Sequence, residues 1–296
     1  MSAKKSDKLA TIILYGIAGF VILILAALLG YILVQGIPHL SWHFLTSPAE
    51  SFTAGGGIGI QLFNSFYLLI ITMVISFPIA LGAGIYLNEY ANRKSKTVEV
   101  IRTMIEILSS LPSVVVGLFG FLLFVVQFKF GFSLLSGAIA LTFFNLPLLT
   151  RSVEESLRTI PDLQREAGAA LGLSRWETVG HVIFPAALPS IVTGIVLSAG
   201  RVFGEAAALI YTAGQSAPVV NFTDWNPFNP TSPLNVMRPA ETLAVHIWKI
   251  NSEGIMPDAT AVSAGASAVL IIAVLLFNFT ARSLSKFLYQ RLTSSK

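Results

Sequence analysis

Apolar residues in this chain gather in long unbroken runs rather than at spaced positions along a polar background. Stretches without Asp, Glu, Lys or Arg cover residues 9–49, 51–88, 107–128, 130–150, 178–200, 206–223 and 259–281. Roughly 20 apolar residues, rising about 1.5 Å each, cross a hydrocarbon core of about 30 Å. The runs therefore predict six helical spans, at 9–34, 62–87, 104–128, 134–149, 186–212 and 259–279. Gly214, Pro218 and the polar residues after them mark the end of span five, and a re-entrant segment is an alternative for 206–223. Three segments with turn chemistry separate the spans on one side: 35–61 with its Gly55-Gly56-Gly57-Ile58-Gly59 cluster, a tight turn at 129–133, and a long loop at 213–258 dense in Asn and Pro. A short helix is expected at 242–251 within that loop.

Composition agrees with the pattern. The 296 residues are 54% hydrophobic and 11% charged, and the mean hydropathy is +0.75, values outside the range of an ordinary soluble globule. A net charge of +4 suggests an anionic partner only until the basic residues are placed. Lys4, Lys5, Lys8, Arg93, Lys94, Lys96, Arg102, Arg151, Arg158, Arg165, Arg175, Arg282, Lys286, Arg291 and Lys296 fall on one side of the alternating loops. By the positive-inside rule that side is the cytoplasm, which puts both termini there. Lys129, Arg238 and Lys249 lie outside. The basic excess thus reports topology rather than nucleic-acid binding. The first apolar run is too long for a secretory signal and no A-x-A site follows it, so span one is expected to stay attached. With no cysteine, neither disulfides nor Cys-ligated metal sites are available.

No G-x-x-x-x-G-K-[ST], H-E-x-x-H or G-x-S-x-G occurs, so the chain carries no phosphate-cradling loop, zinc-protease pair or nucleophile elbow. The histidines His39, His43, His181 and His246 are scattered, and the glycine cluster follows no strand. Ionisable residues inside spans are costly and face a bundle interior. Arg201 and Glu205, four apart in span five, are expected to meet on one helix face. Mutual neutralisation is one reading of the pair. The other is a guanidinium presented to a crossing anion, with Glu205 orienting it, since the planar fork suits an oxyanion. Arg151, at the inner end of span four, is either a second station or a topology anchor. Glu106 receives no role. Pro78, Gly82, Gly84, Pro112, Gly117 and Gly120 read as sites of tight helix packing, with movable kinks along a pathway as the sharper alternative.

Between spans four and five the chain reads Glu166-Ala167-Gly168, three residues, Gly172, nine residues, then Val182-Ile183-Phe184-Pro185. Pro161 can open a helix, Gly172 can close it in the left-handed conformation, and Ser174-x-x-Glu177 is a capping box for the next helix. The small Ala167 and Gly168 suit a helix seated in a partner's groove, with Leu163, Leu171 and Trp176 as anchors and Glu166 meeting polar groups there.

This pattern resembles the E-A-A loop of the inner-membrane permease subunits of binding-protein-dependent ABC importers. The stretches 79–91 (IALGAGIYLNEYA), 109–121 (SSLPSVVVGLFGF), 145–151 (NLPLLTR) and 199–205 (AGRVFGE) are similar to the phosphate-transport subfamily. Gly168, Val182 and Phe184 depart from the E-A-A pattern, and Ala206 stands where a small hydroxyl residue often follows the glutamate. The resemblance implies an all-α integral membrane protein with six transmembrane helices of the type I ABC importer permease fold, sited in the bacterial plasma (inner) membrane. It divides the chain into an N-terminal helix and outer loop at 1–61, a permease core at 62–287 with coupling loop 151–185 and outer loop 213–258, and a tail at 288–296. It further implies a transport subunit rather than an enzyme, with no cofactor of its own, ATP and Mg being bound by a partner. The partners it implies are a second homologous permease, two ATPase subunits and an extracytoplasmic phosphate-binding protein. The substrate pathway would be Arg201, Glu205 and Arg151. ATPase coupling would fall to Glu166, Ala167, Gly168, Gly172, Pro185, Leu163, Leu171 and Trp176. A permease of the same fold for sulfate, molybdate or an amino acid is the nearest alternative, followed by a stand-alone channel or secondary transporter.

Overall fold

The structure is a computed structural model, and it describes residues 3–50, 52–92, 95–254 and 256–293. Arg93, Lys94 and Lys296, used above for topology, and the last three residues of the expected tail lie outside the described residues. Among the described residues all regular structure is helical. The helices run α1 (Ala3–Gly36), α2 (Trp42–Thr46), α3 (Gly59–Ile85), α4 (Lys96–Ser109), α5 (Ser113–Gly120), α6 (Leu134–Arg158), α7 (Asp162–Ala170), α8 (Arg175–Thr178), α9 (Phe184–Phe203), α10 (Ala207–Thr212), α11 (Leu243–Glu253) and α12 (Ala259–Thr293). Wider π-type turns extend α3 through Tyr86–Tyr90, extend α5 through Phe121–Gln127, and join α8 to α9 through Val179–Ile183.

Five helices are long and apolar enough to cross a membrane, and a bent pair, Lys96–Ser109 with Ser113–Gln127, supplies a sixth crossing if counted as one. α6 is the central post, packed by α3, α4, α5, α9 and α10, while α1 leans on α12 alone among the long helices and leaves its apolar surface bare. That inversion, with apolar side chains outside as well as inside, is what lipid as solvent permits. Buried Leu68, Leu141, Phe144, Val202 and Leu209 form the main core cluster. Close approach between helices rests on small residues: a Cβ at Gly84 would lie 2.6 Å from Val153 Cγ1, and one at Gly117 2.7 Å from the Ala208 Cα.

Three expectations change. Span three is not one straight helix, because α4 and α5 meet at 96°. Pro112 lacks an N–H and disfavours helix in the residue before it, and the hydroxyls of Ser109 and Ser110 bond back to the carbonyls of Glu106 and Ile107 at 2.8 and 2.7 Å. Pro112 thus makes a bend and not only a packing contact. Span five breaks at Gly204, after α9, and resumes as α10. The second helix of the coupling elbow is no separate piece: from Arg175 to Phe203 the chain is continuously helical, so the capping box caps the span itself. The short outer helix is found as α11, with the Thr242 hydroxyl accepting from the Val245 amide.

Candidate functional site

The elbow between α6 and α9, the candidate coupling segment, is built from local rules. Pro161, in extended conformation, precedes α7, and Asp162 sits in its first turn, where carboxylates favour the helix dipole. α7 ends at Ala170, and the chain turns away at Gly172, whose φ of 79° is left-handed. There the Leu173 amide bonds the Gly168 carbonyl at 3.1 Å and the Gly172 amide bonds that of Ala169 at 3.0 Å. Ser174 then donates its amide to Glu177 Oε2 at 2.8 Å and accepts from the Glu177 amide at 3.3 Å, completing the capping box. Pro185 stands in the first turn of α9, half-buried.

Leu163, Leu171 and Trp176 are 73%, 80% and 67% exposed, an apolar trio on a short polar elbow. Glu166 and Ala167 are exposed with them. Gly168, by contrast, is buried. It faces this chain's own Thr178, with a Cβ there only 2.7 Å from Thr178 Oγ1 and Cγ2, so it lets α7 lie on α8 rather than offering a surface outward. The β-branched threonine fills the space a third-position alanine would need.

In the membrane, Arg201 and Glu205 do not pair, against expectation. α9 ends at Phe203, and past the break the Glu205 carboxylate turns to the next helix, where Oε1 accepts from the Ala208 amide at 3.1 Å. Arg201, half-buried, lays its guanidinium over the Phe144 ring with Cζ 3.7 Å from the centroid. It makes no hydrogen bond and no ion pair among the described residues. Arg151 is engaged elsewhere, with Glu155 at 2.9 Å and Glu106 at 3.6 Å on an exposed patch shared by α4 and α6. Glu106 therefore has a partner that sequence reasoning did not give it.

Two groups of residues were missed. Arg165, read only as a topology charge, pairs with Glu89 at 2.8 Å; the carboxylate holds its guanidinium above the usual value, with burial opposing. On the outer side, Arg238 is buried and donates to Asn64 Oδ1 at 2.7 Å and to the Pro233 carbonyl at 3.1 Å, and burial pushes it down to about 10. Glu241 accepts from Gln61 Nε2 at 2.9 Å and lies 3.2 Å from His246 Nδ1 and 3.7 Å from Lys249 Nζ. Burial raises the Glu241 carboxyl, but His246, Gln61 and Lys249 outweigh it and leave it below its ordinary value. These contacts fasten the outer loop to α3. Only the closeness of Glu241, His246 and Lys249 in sequence was an available signal; the long-range partners Gln61 and Asn64 had none.

A bundle of spanning helices with an exposed, capped elbow at one end defines a helical membrane permease of the ABC-importer kind. The chain has that fold in common with a bacterial alginate ABC transporter solved with a pentasaccharide-bound periplasmic protein, at a TM-score of 0.65 and 14% identity, over 97% of this chain and 96% of that one. Residues 77–294 match the family described as binding-protein-dependent transport system inner membrane component, and the chain belongs to it. It is similar to the probable ABC transporter permease protein YqgI of Bacillus subtilis (strain 168), 52% identical over 295 residues and the full length of both chains. It is also similar to the phosphate transport system permease protein PstA of Xylella fastidiosa (strain 9a5c), 37% identical over 60% of this chain and 62% of that protein. The chain is thus a multi-pass inner-membrane subunit of a binding-protein-dependent ABC importer. It is a transport component rather than a catalyst, without a cofactor of its own, and works with ATPase and periplasmic binding-protein partners.

Proposed function

We propose that this subunit carries inorganic phosphate, beside a second, PstC-type permease, above two PstB-type ATPase subunits and beneath a PstS-type binding protein. The observation that carries this reading is Arg201, a half-buried guanidinium in span five that makes no hydrogen bond among the described residues and whose face is held by Phe144. A fixed cation inside a bilayer is retained where it serves a passing or bound anion, and the likeness to PstA supports phosphate as that anion. Glu205 shapes the break beside it, and Arg151 serves at the inner mouth, where Glu106 and Glu155 compete with an anion for its fork. The elbow from Leu163 to Trp176 seats in the ATPase. In this reading both termini are cytoplasmic, the permease core is 62–287 after an N-terminal transmembrane helix and extracytoplasmic loop at 1–61, and the tail is 288–296.

Uptake of radiolabelled phosphate at low external concentration tests the reading in a deletion strain complemented in trans. Arg201→Ala is expected to abolish uptake and Arg201→Lys to restore it only in part, because an ammonium loses the paired donors. Normal phosphate import in the deletion strain, or uptake inhibited by sulfate or molybdate rather than phosphate, overturns the substrate. Full uptake by the Ala variant removes Arg201 from the pathway.

A further inference from the structure

The coupling elbow has to pull on something. α7 touches α8 and the turn after it, yet its only ion pair across to another span among the described residues is made by Arg165. That guanidinium is saturated. Nε lies 3.2 and 3.1 Å from the two Glu89 oxygens and Nη2 2.8 Å from Oε1, a bidentate grip. Nη1 donates to the Ile160 carbonyl at 2.8 Å and to Asp162 Oδ1 at 3.0 Å, and Nη2 donates to the Leu157 carbonyl at 3.1 Å. One side chain on α7 therefore ties together the wide turn Tyr86–Tyr90 that follows α3, where Glu89 lies, and the end of α6 at the carbonyls of Leu157 and Ile160. Glu89 is 9% exposed at its side chain and Arg165 20%, so the pair is shielded by protein although it borders an open groove of about 560 Å³.

We infer that Arg165 and Glu89 are the joint through which displacement of the coupling helix reaches α3 and α6, Arg165 acting as a positioning residue for transport. Charge-assisted bidentate contacts fix orientation as well as distance, which a flexible apolar contact does not. Leu157 lies in the last turn of α6 and Ile160 two residues past its end, so the same cation braces that helix terminus, where basic groups suit the dipole, and keeps α7 at a set angle to it. With the joint intact, α7 cannot tilt without carrying the inner ends of α3 and α6. With it broken, α7 still docks through Leu163, Leu171 and Trp176, but its motion is spent in the loop. The inference rests on the docking role proposed for the elbow.

The test uses the assembled importer in proteoliposomes, with inorganic phosphate and its binding protein, and reads three quantities: ATPase subunits retained, ATP hydrolysis, and phosphate moved per ATP. Arg165→Gln and Glu89→Gln complexes are expected to retain their ATPases and basal hydrolysis while phosphate moved per ATP falls by about tenfold, within the range single residues exert on coupling between sites. Arg165→Lys should fall between, reaching Glu89 but not both carbonyls at once. The swap Arg165→Glu with Glu89→Arg should recover part of the ratio. A wild-type ratio in both Gln variants overturns the joint, as does a loss of assembly that the swap and the Lys variant share while the ratio in their surviving complexes stays normal. Absence of phosphate transport by the wild-type complex would instead count against the substrate. Normal coupling in Gly172→Pro would count against docking, and coupling lost there but kept in the Arg165 and Glu89 variants would sink the joint alone.

Discussion

Gly168 shows how much one side chain decides at the residue scale. An E-A-A pattern expects alanine there, and the chain has glycine because Thr178 occupies the space from below. Gly168→Ala should destabilise the elbow by about 1–3 kcal/mol, as overpacking does, and Gly168→Ala with Thr178→Ala should return to the wild-type value. Thermal unfolding of the detergent-purified protein checks both, and equal melting temperatures in all three would show that the contact yields freely. Arg201 is the converse case. Its charge and its place in a span were legible because an arginine inside an apolar run is costly and stands out. Its aromatic partner was not legible, since Phe144 lies on another helix, far away in sequence.

Elements were readable wherever their termini carry local chemistry. Gly172 and the Ser174–Glu177 box act over four residues or fewer, so sequence alone placed the turn and both helix ends. Gly172→Pro would impose a negative φ on a residue held at 79°. The variant, or a bulky replacement of exposed Ala167, is expected to insert and assemble while hydrolysis proceeds without transport. Simultaneous assays of ATP hydrolysis and phosphate uptake decide it, and transport-coupled hydrolysis at the wild-type ratio would dismiss the docking role. Span three was misread for the opposite reason. Hydropathy integrates over a window and does not register direction, so a helix that bends by 96° at Pro112 looks the same as a straight one. The break at Gly204 escaped in part for the same cause.

The whole molecule has two membrane faces, and the proposed topology puts the elbow on the inner one and the Asn- and Pro-rich loop on the outer one. Because the chain contains no cysteine, single substitutions report sidedness cleanly. Leu171→Cys, in cells lacking the ATPase that would cover it, should react with an impermeant maleimide only in inverted vesicles, and Phe228→Cys, 89% exposed at its native side chain, only in intact cells. The reverse pattern would invert the topology and end the coupling account. The outer loop is held to α3 by Glu241, whose folded carboxyl lies below its ordinary value. Its contribution is therefore present above the unfolded value of about 4.3 and is lost as pH falls through the lower folded one. Hydrogen-exchange protection across 238–253, corrected for intrinsic rates, should drop in that acid window in the wild type. In Glu241→Gln protection should be lower at neutral pH and flatter across the window; an acid response matching the wild type would assign it to another group.

Sequence by itself determined that this chain lives in a membrane, roughly where it crosses, which face bears its positive charge, and where the coupling elbow turns, because each follows from composition over a window or from contacts a few residues apart. Tertiary structure alone decided which charges meet. Arg165 finds Glu89, Arg238 finds Asn64, and Arg201 finds Phe144 instead of Glu205. Such pairings depend on how helices distant along the chain are turned about their own axes, and that is settled by packing of small residues such as Gly84 and Gly117 at helix crossings, which no local pattern encodes.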